Sequence, residues 1–299
     1  MSVVSLVKVG NYSELRKAIE RSFELIGFHF TQNLRKIVVK PNMCCYSDYS
    51  TGETTDPRIV AELLDVLRGS IATDLQISVV ESDASAMKLK YSSKVLGYEK
   101  MCKEKRVPLV NLTDERNEEA KVEVAGHSYT FSLPTTIKDA DLFINMPKMK
   151  YMLGTEISCA MKNIYGCNPY PKKFEYHQYL DEVIVALNKI MKPDLCLLDG
   201  IMVRGKCTRK MDLLMASADP VALDTVAAKI MGINPKRISH IVLAEEEGVG
   251  TSNYELVGES LQVFARRFPK KGMADKARLM VGRLALSTLR NLGFKTPPF

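Results

Sequence analysis

A single α/β domain on a mainly parallel, doubly wound sheet with helices on both faces is the fold this sequence predicts, and three observations predict it. Short β-rich runs alternate with amphipathic helical stretches along most of the chain. The β-rich runs are almost continuously apolar, as strands buried on both faces are. No Pro/Gly/Ser-rich linker and no fixed-period repeat divides the sequence. The domain is assigned residues 1–264, with one hairpin insertion, and a basic C-terminal helical extension follows over 265–299.

Val3 to Val9 reads as the first strand. Ser13 to Phe28 carries Leu15, Ala18, Ile19, Ser22, Phe23 and Ile26 at helical spacing. Lys36 to Lys40 is a short strand, and Pro57 to Arg68 is a helix with Asp56 as its N-cap and Pro57 at its first position. Strand Leu75 to Glu81, helix Tyr98 to Glu104 and strand Val107 to Leu112 continue the alternation. Lys121 to Leu133 alternates in polarity across Ala125-Gly126-His127-Ser128 and predicts the hairpin. Strand Asp141 to Asn145, helix Tyr176 to Met191, strand Leu195 to Leu198 and helix Pro220 to Met231, capped by Asp219, complete the set.

Composition excludes several classes. With 299 residues, 46% apolar, 26% charged and no low-complexity block, the chain is neither disordered, collagenous nor a coiled coil. No apolar run approaches the ~18 residues of a membrane span, and the first nine residues do not build a signal peptide, so a cytoplasmic location is expected. Seven cysteines in such a chain read as thiols, ligands or core filler rather than a disulfide framework. The net charge of +7 is concentrated: Ala265 to Phe299 holds nine Lys or Arg against Asp275, and the rest of the chain is balanced. That distribution gives no specific nucleic-acid signal.

Ligands of such sheets bind beyond the carboxyl ends of the strands. The predicted strands end in Lys40-Pro41-Asn42, Glu81-Ser82-Asp83, Asn145-Met146-Pro147-Lys148-Met149-Lys150 and Asp199-Gly200, all with polar groups. Met161 to Gly166 and Ser217 to Asp224 are expected to join them. KPN at 40, TTDP at 54, ESDAS at 81, NMPKMK at 145, MKNIYG at 161, LDGI at 198 and SADPVALD at 217 resemble, in order, the family known as domain of unknown function 362, from about residue 3 to residue 250. The resemblance implies a cytoplasmic α/β protein of undetermined activity, some of whose bacterial and archaeal relatives carry ferredoxin-type iron–sulfur segments. This chain has no CxxCxxC run, has Met152 where the family usually has His, and has Arg204 to Lys210 in place of the usual Gly-Pro loop.

Lys40, Lys148, Lys150 and Lys162, with Asn42, Asn145 and Asn163, compose a cationic, amide-rich site suited to a carboxylate or phosphate and to stabilising an enolate or oxyanion. Lys40, Lys148 and Lys162 are expected to converge on one cleft. Asp83, Asp199 and His177 are the acid–base candidates, with Asp224 as a further neighbour of the crevice. Tyr170, Tyr176 and Tyr179 form a candidate lid. Cys44, Cys45, Cys159 and Cys167 fall in the same loops and are candidate ligands of a transition metal or iron–sulfur cluster, set against small-residue packing. No G-x-G-x-x-G and no P-loop occurs, so nicotinamide and NTP signatures are absent.

Three functions follow from this reading: redox chemistry on an anionic organic substrate with a thiolate-held metal or cluster, metal-free acid–base chemistry of an isomerase or lyase, or non-catalytic binding or maturation of an anionic cofactor. In the C-terminal segment Lys276, Arg283 and Arg290 lie seven residues apart, opposed by Ala277, Met280, Val281, Leu284 and Ala285. That basic amphipathic helix either docks on the body or contacts a partner or membrane surface.

Overall fold

The computed structural model describes residues 1–71, 74–270 and 272. In chain order it forms β1 (Ser2–Lys8), α1 (Leu15–Leu25), β2 (Lys36–Pro41), α2 (Pro57–Ser70), β3 (Gln76–Glu81), α3 (Leu89–Val95), α4 (Tyr98–Lys105), β4 (Leu109–Asn111), β5 (Asn117–Val124), β6 (His127–Pro134) and α5 (Thr135–Lys138). The second half adds β7 (Leu142–Met146), β8 (Lys148–Met152), β9 (Glu156–Ser158), α6 (Ala160–Ile164), α7 (Leu180–Ile190), β10 (Leu195–Arg204), β11 (Thr208–Ser217), α8 (Pro220–Ile230), α9 (Ser239–Glu246), β12 (Tyr254–Gly258) and α10 (Leu261–Arg267).

The main sheet runs β12-β1-β11-β10-β7-β2-β3-β4, with β8 pairing β10 and β9 at its side. From β10 through β7, β2 and β3 to β4 every pairing is parallel, and antiparallel pairing is confined to β1–β11, β10–β11 and β8–β9. Strand alternation divides the core in two. Val38, Val80, Phe143 and Leu198 enter one cluster with α7 and α8, while Ile37, Val39, Val79, Ile144 and Leu197 enter another with α1 and α2. Helices therefore cover both faces, and β5–β6 forms the separate hairpin. No helix among the described residues is long and apolar enough to cross a membrane.

Local chemistry sets the helix starts. The Asp56 side chain accepts from the Arg58 N–H with Pro57 next in line, and Asp219 accepts from the Val221 and Ala222 N–H groups ahead of α8. Helix α8 is apolar nearly all round and is buried nearly all round.

Several sequence expectations change. Asp199-Gly200 does not end a strand: β10 runs on to Arg204 and turns back as β11 through the segment expected to be a loop. Gly200 marks close packing rather than a stop, because a Cβ there would lie 3.1 Å from the Leu213 carbonyl oxygen. The stretch after Pro147 is likewise not a loop but the β8–β9 hairpin, and Lys173–Tyr179 is a 3-10 turn preceding α7. Helices α3, α9 and α10 and strand β12 were not expected. The proposed basic helix of Met273 to Leu292 lies outside the described residues.

Candidate functional site

The chain places β3 and β4 on one side of β2 and β7 on the other, so the sheet changes winding direction between β2 and β7. Crevices open at such a point, beyond the carboxyl ends of the strands. A cleft of ≈ 1100 Å³ lies there. It is lined by the ends of β2 and β3, the β8–β9 hairpin, α6 with the turn after it, the turn before α7, and Arg237 to Ser239. Five basic residues, Lys40, Lys150, Lys162, Lys173 and Arg237, face it against three acids, Glu81, Glu156 and Asp181. That balance favours an anionic occupant.

Lys40 and Asn145 are register partners across β2 and β7. Helix α6 docks on them through Asn163, whose Nδ2 donates to the Lys40 carbonyl at 3.1 Å and to Asn145 Oδ1 at 2.7 Å. Asn42 Nδ2 donates in turn to Asn163 Oδ1 at 2.9 Å, and Asn145 Nδ2 donates to the Ala160 carbonyl at 2.9 Å. The start of α6 is capped from a distance, with Asp224 accepting from the Ala160 N–H at 2.6 Å and the Met161 N–H at 3.1 Å. Burial raises the Asp224 carboxyl to about 6, against the His240 charge and these two N–H groups. The asparagines are thus a scaffold that fixes α6, and with it Lys162, at the cleft.

The four cleft lysines differ in their partners. Lys40 donates to Glu81 Oε2 and to the Pro41 carbonyl, both at 2.8 Å, in a pair almost wholly removed from water. Gly166 permits the neighbouring loop to approach it, since a Cβ there would lie 2.9 Å from the Lys40 Nζ. Lys150, 1% exposed, donates to Cys44 Sγ at 2.8 Å, Asn42 Oδ1 at 3.3 Å and the Glu53 carbonyl at 2.6 Å. Burial pushes its pKa down, but the Cys44 charge and then the Glu53 and Cys45 charges leave it raised. Lys173 is held by the Ser82 hydroxyl and the Asp83 and Gly166 carbonyls, and burial is the first cause of its fall to about 8. Lys162 stands apart. Its Nζ lies 3.6 Å from the centre of the Tyr165 ring, and among the described residues it has neither a hydrogen bond nor a carboxylate partner. Burial, then the Lys173 charge, bring it down to about 7.

Of the sequence candidates, Lys40, Asn42, Lys150, Lys162, Asn163, His177 and Cys44 line the cleft. His177 lies beside Phe174 and Tyr165. Lys148 and Asp199 do not line it. Their side chains are fully buried and joined at 2.7 Å, and Asp199 also accepts from the Asp56 and Ile201 N–H groups. The convergence of Lys40, Lys148 and Lys162 is thus corrected: β10 continues past Asp199 and draws Lys148 to its own register partner. Asp83 turns from the cleft as well, accepting from the Leu89 N–H at the start of α3 and from Lys88. Of the proposed lid tyrosines, Tyr179 reaches the cleft, whereas Tyr170 and Tyr176 border a smaller pocket against the β5–β6 hairpin. Sequence reasoning passed over Glu81, the partner of Lys40, although it stands at a strand end in the quoted ESDAS. It also passed over Lys173 and Arg237, for which the sequence offers no signal.

The four candidate ligand cysteines do not share a site. Cys44 lines the cleft and Cys45 is half-buried, while Cys159 and Cys167 belong to the apolar core, where burial raises both thiols, Cys167 to about 12. Among the described residues no three of His, Cys, Asp and Glu are placed to hold a metal ion. The residues present do not fit the expected thiolate-held cluster.

Residues 37–229 match the family described as Domain of unknown function (DUF362). The chain belongs to this family. The matched DUF362 region includes every cleft residue from Lys40 to Asp181, leaving Arg237 to Ser239 outside it. The chain is similar to the Thylakoid-associated protein sll1697 of Synechocystis sp., 33% identical over 155 residues. That match takes in 47% of this chain and 46% of the relative, so it spans about half the relative's length. Among solved structures, the lactate racemase apoprotein of Thermoanaerobacterium thermosaccharolyticum aligns with a TM-score of 0.44 at 11% identity, over 78% of this chain and 58% of that one.

Proposed function

We propose that the cleft binds an anionic organic molecule and that Lys162 exchanges a proton with it, as in an isomerase or lyase that works at the carbon beside a carboxylate. One observation carries the reading: among the described residues Lys162 is a cleft lysine with no carboxylate within ion-pair distance, and burial lowers it to about 7. A base with a pKa near the working pH combines a useful neutral fraction with useful basicity. Lys150 and Lys173, whose N–H groups are already taken up by oxygens and the Cys44 sulfur, would act through their positive charge on the ligand carboxylate and on the enolate charge that forms as the proton leaves. Lys40 contributes less, because Glu81 already answers its charge.

The test is incubation in deuterated water with a panel of small hydroxy, oxo and unsaturated carboxylates, followed by NMR of the α-carbon proton. The wild type should exchange at least one of them and Lys162→Met should not. Exchange that persists in Lys162→Met, or ligand stabilisation in a thermal melt with no exchange of any panel member, overturns proton transfer and leaves a binding protein.

A further inference from the structure

Cys44 is exposed at the cleft, and its sulfur lies 2.8 Å from the Lys150 Nζ. The other two partners of that ammonium, Asn42 Oδ1 and the Glu53 carbonyl, are acceptors only. The sulfur therefore takes the third hydrogen bond from a buried cation, which favours its thiolate form, while the thiol form donates to the Glu53 carbonyl at 3.7 Å. The groups facing it are Lys150, the Glu53 carboxylate, 3.6 Å from Lys150, Cys45 and, across the cleft, Lys162. A hydrogen bond from Cys45 and the Lys150 charge lower Cys44 to about 6 against its desolvation. The buried thiols of Cys102, Cys159, Cys167 and Cys196 are all raised by burial instead.

We propose that Cys44 is a modification site, a nucleophilic thiolate that forms mixed disulfides with small carboxylate-bearing disulfides entering the cleft. The Cys44 sulfur attacks one sulfur of the incoming disulfide. A new S–S bond forms as the old one breaks, the second sulfur leaves with its electron pair as a thiolate, and excess thiol reverses the exchange. The adduct stands beside Lys150 and closes the anion site. The preference for a carboxylate-bearing reagent rests on the anion reading above; the nucleophilicity does not.

The experiment treats the full chain with dithionitrobenzoate, an aromatic disulfide with a carboxylate on each half, at about pH 6.5, and maps the label by mass spectrometry. One thiol should react in a fast phase and map to Cys44, roughly five-fold faster than the exposed comparison thiol Cys207, after allowance for the weaker intrinsic nucleophilicity of a low-pKa thiolate. The phase should vanish in Cys44→Ser and slow by a similar factor in Lys150→Gln. Cys45→Ser, which keeps a hydroxyl donor, should retain it. First labelling at Cys207 or Cys45, or a fast phase unchanged in Lys150→Gln, overturns the proposal. Should Lys150→Gln not fold, the wild-type map decides alone. Repeating the map with neutral dithiodipyridine separates the two readings: equal selectivity for Cys44 with both reagents upholds the thiolate and removes the anion attraction.

Discussion

Lys148 and Lys150 leave β8 two residues apart, and their surroundings divide them. Lys148 meets Asp199 in a pair with no exposure on either side, and Asp199 is further tied to backbone N–H groups of the α2 start and of β10 itself. Lys150 is equally buried at its ammonium, but its partners are a thiol at the cleft and two neutral oxygens, with the Glu53 carboxylate at 3.6 Å. A buried charge matched by another buried charge is an anchor. One matched by a titratable group that solvent reaches is a site whose charge can change.

The largest expected effect tests the anchor. Lys148→Met leaves the Asp199 carboxylate buried without its cation and should cost about 3–5 kcal/mol of stability in urea unfolding. The double variant Lys148→Met/Asp199→Leu should recover much of that loss, because no unpaired charge remains. A single-variant loss below about 1 kcal/mol would break the distinction between the two lysines.

Lys162 sharpens the comparison from the other side. Lys162→Met removes a cation that has no carboxylate within ion-pair distance among the described residues, so stability should not fall, while affinity for a carboxylate ligand drops by a few-fold as the cleft loses one of its positive charges. Calorimetric titration of both proteins reads this. In the wild type, affinity should fall as pH rises through about 7 and the ammonium is lost, while α-proton exchange should rise over the same interval as the free amine appears.

Stability should follow pH with a definite sign. Lys162 at about 7 and Lys173 at about 8 bind protons less readily folded than unfolded, where both sit near 10.5. The unfolded chain therefore takes up more protons between those values, so these groups make the wild type more stable as pH rises from about 7 toward 10. Urea midpoints across that range should show a smaller rise in Lys162→Met. The smallest effect is expected at Asp224, whose replacement by Asn leaves one acceptor for two N–H groups and should cost about 1 kcal/mol.

Much of the frame was legible in the sequence. The apolar runs at 36–40, 75–81 and 141–145 became β2, β3 and β7 because a strand buried on both faces needs that composition whatever its neighbours are. Asp56-Pro57 and Asp219-Pro220 marked two helix starts because capping is settled within three residues. Gly200 misled for an equally local reason: glycine permits a turn and a close approach alike, and the Leu213 carbonyl that decides between them arrives from another strand.

The sequence by itself determined an α/β chain whose lysines and asparagines gather at strand ends, since alternation, caps and strand composition are short-range properties. The tertiary structure alone decided what each of those lysines is. Lys150 meets Asn42 across 108 residues of chain, and Lys40 meets Glu81 across 41. Lys148 is taken by Asp199, and Lys162 has no carboxylate within ion-pair distance among the described residues. The charge state of a buried amine is set by what surrounds it in space, and in this fold those groups come from strands and loops that the sequence holds far apart.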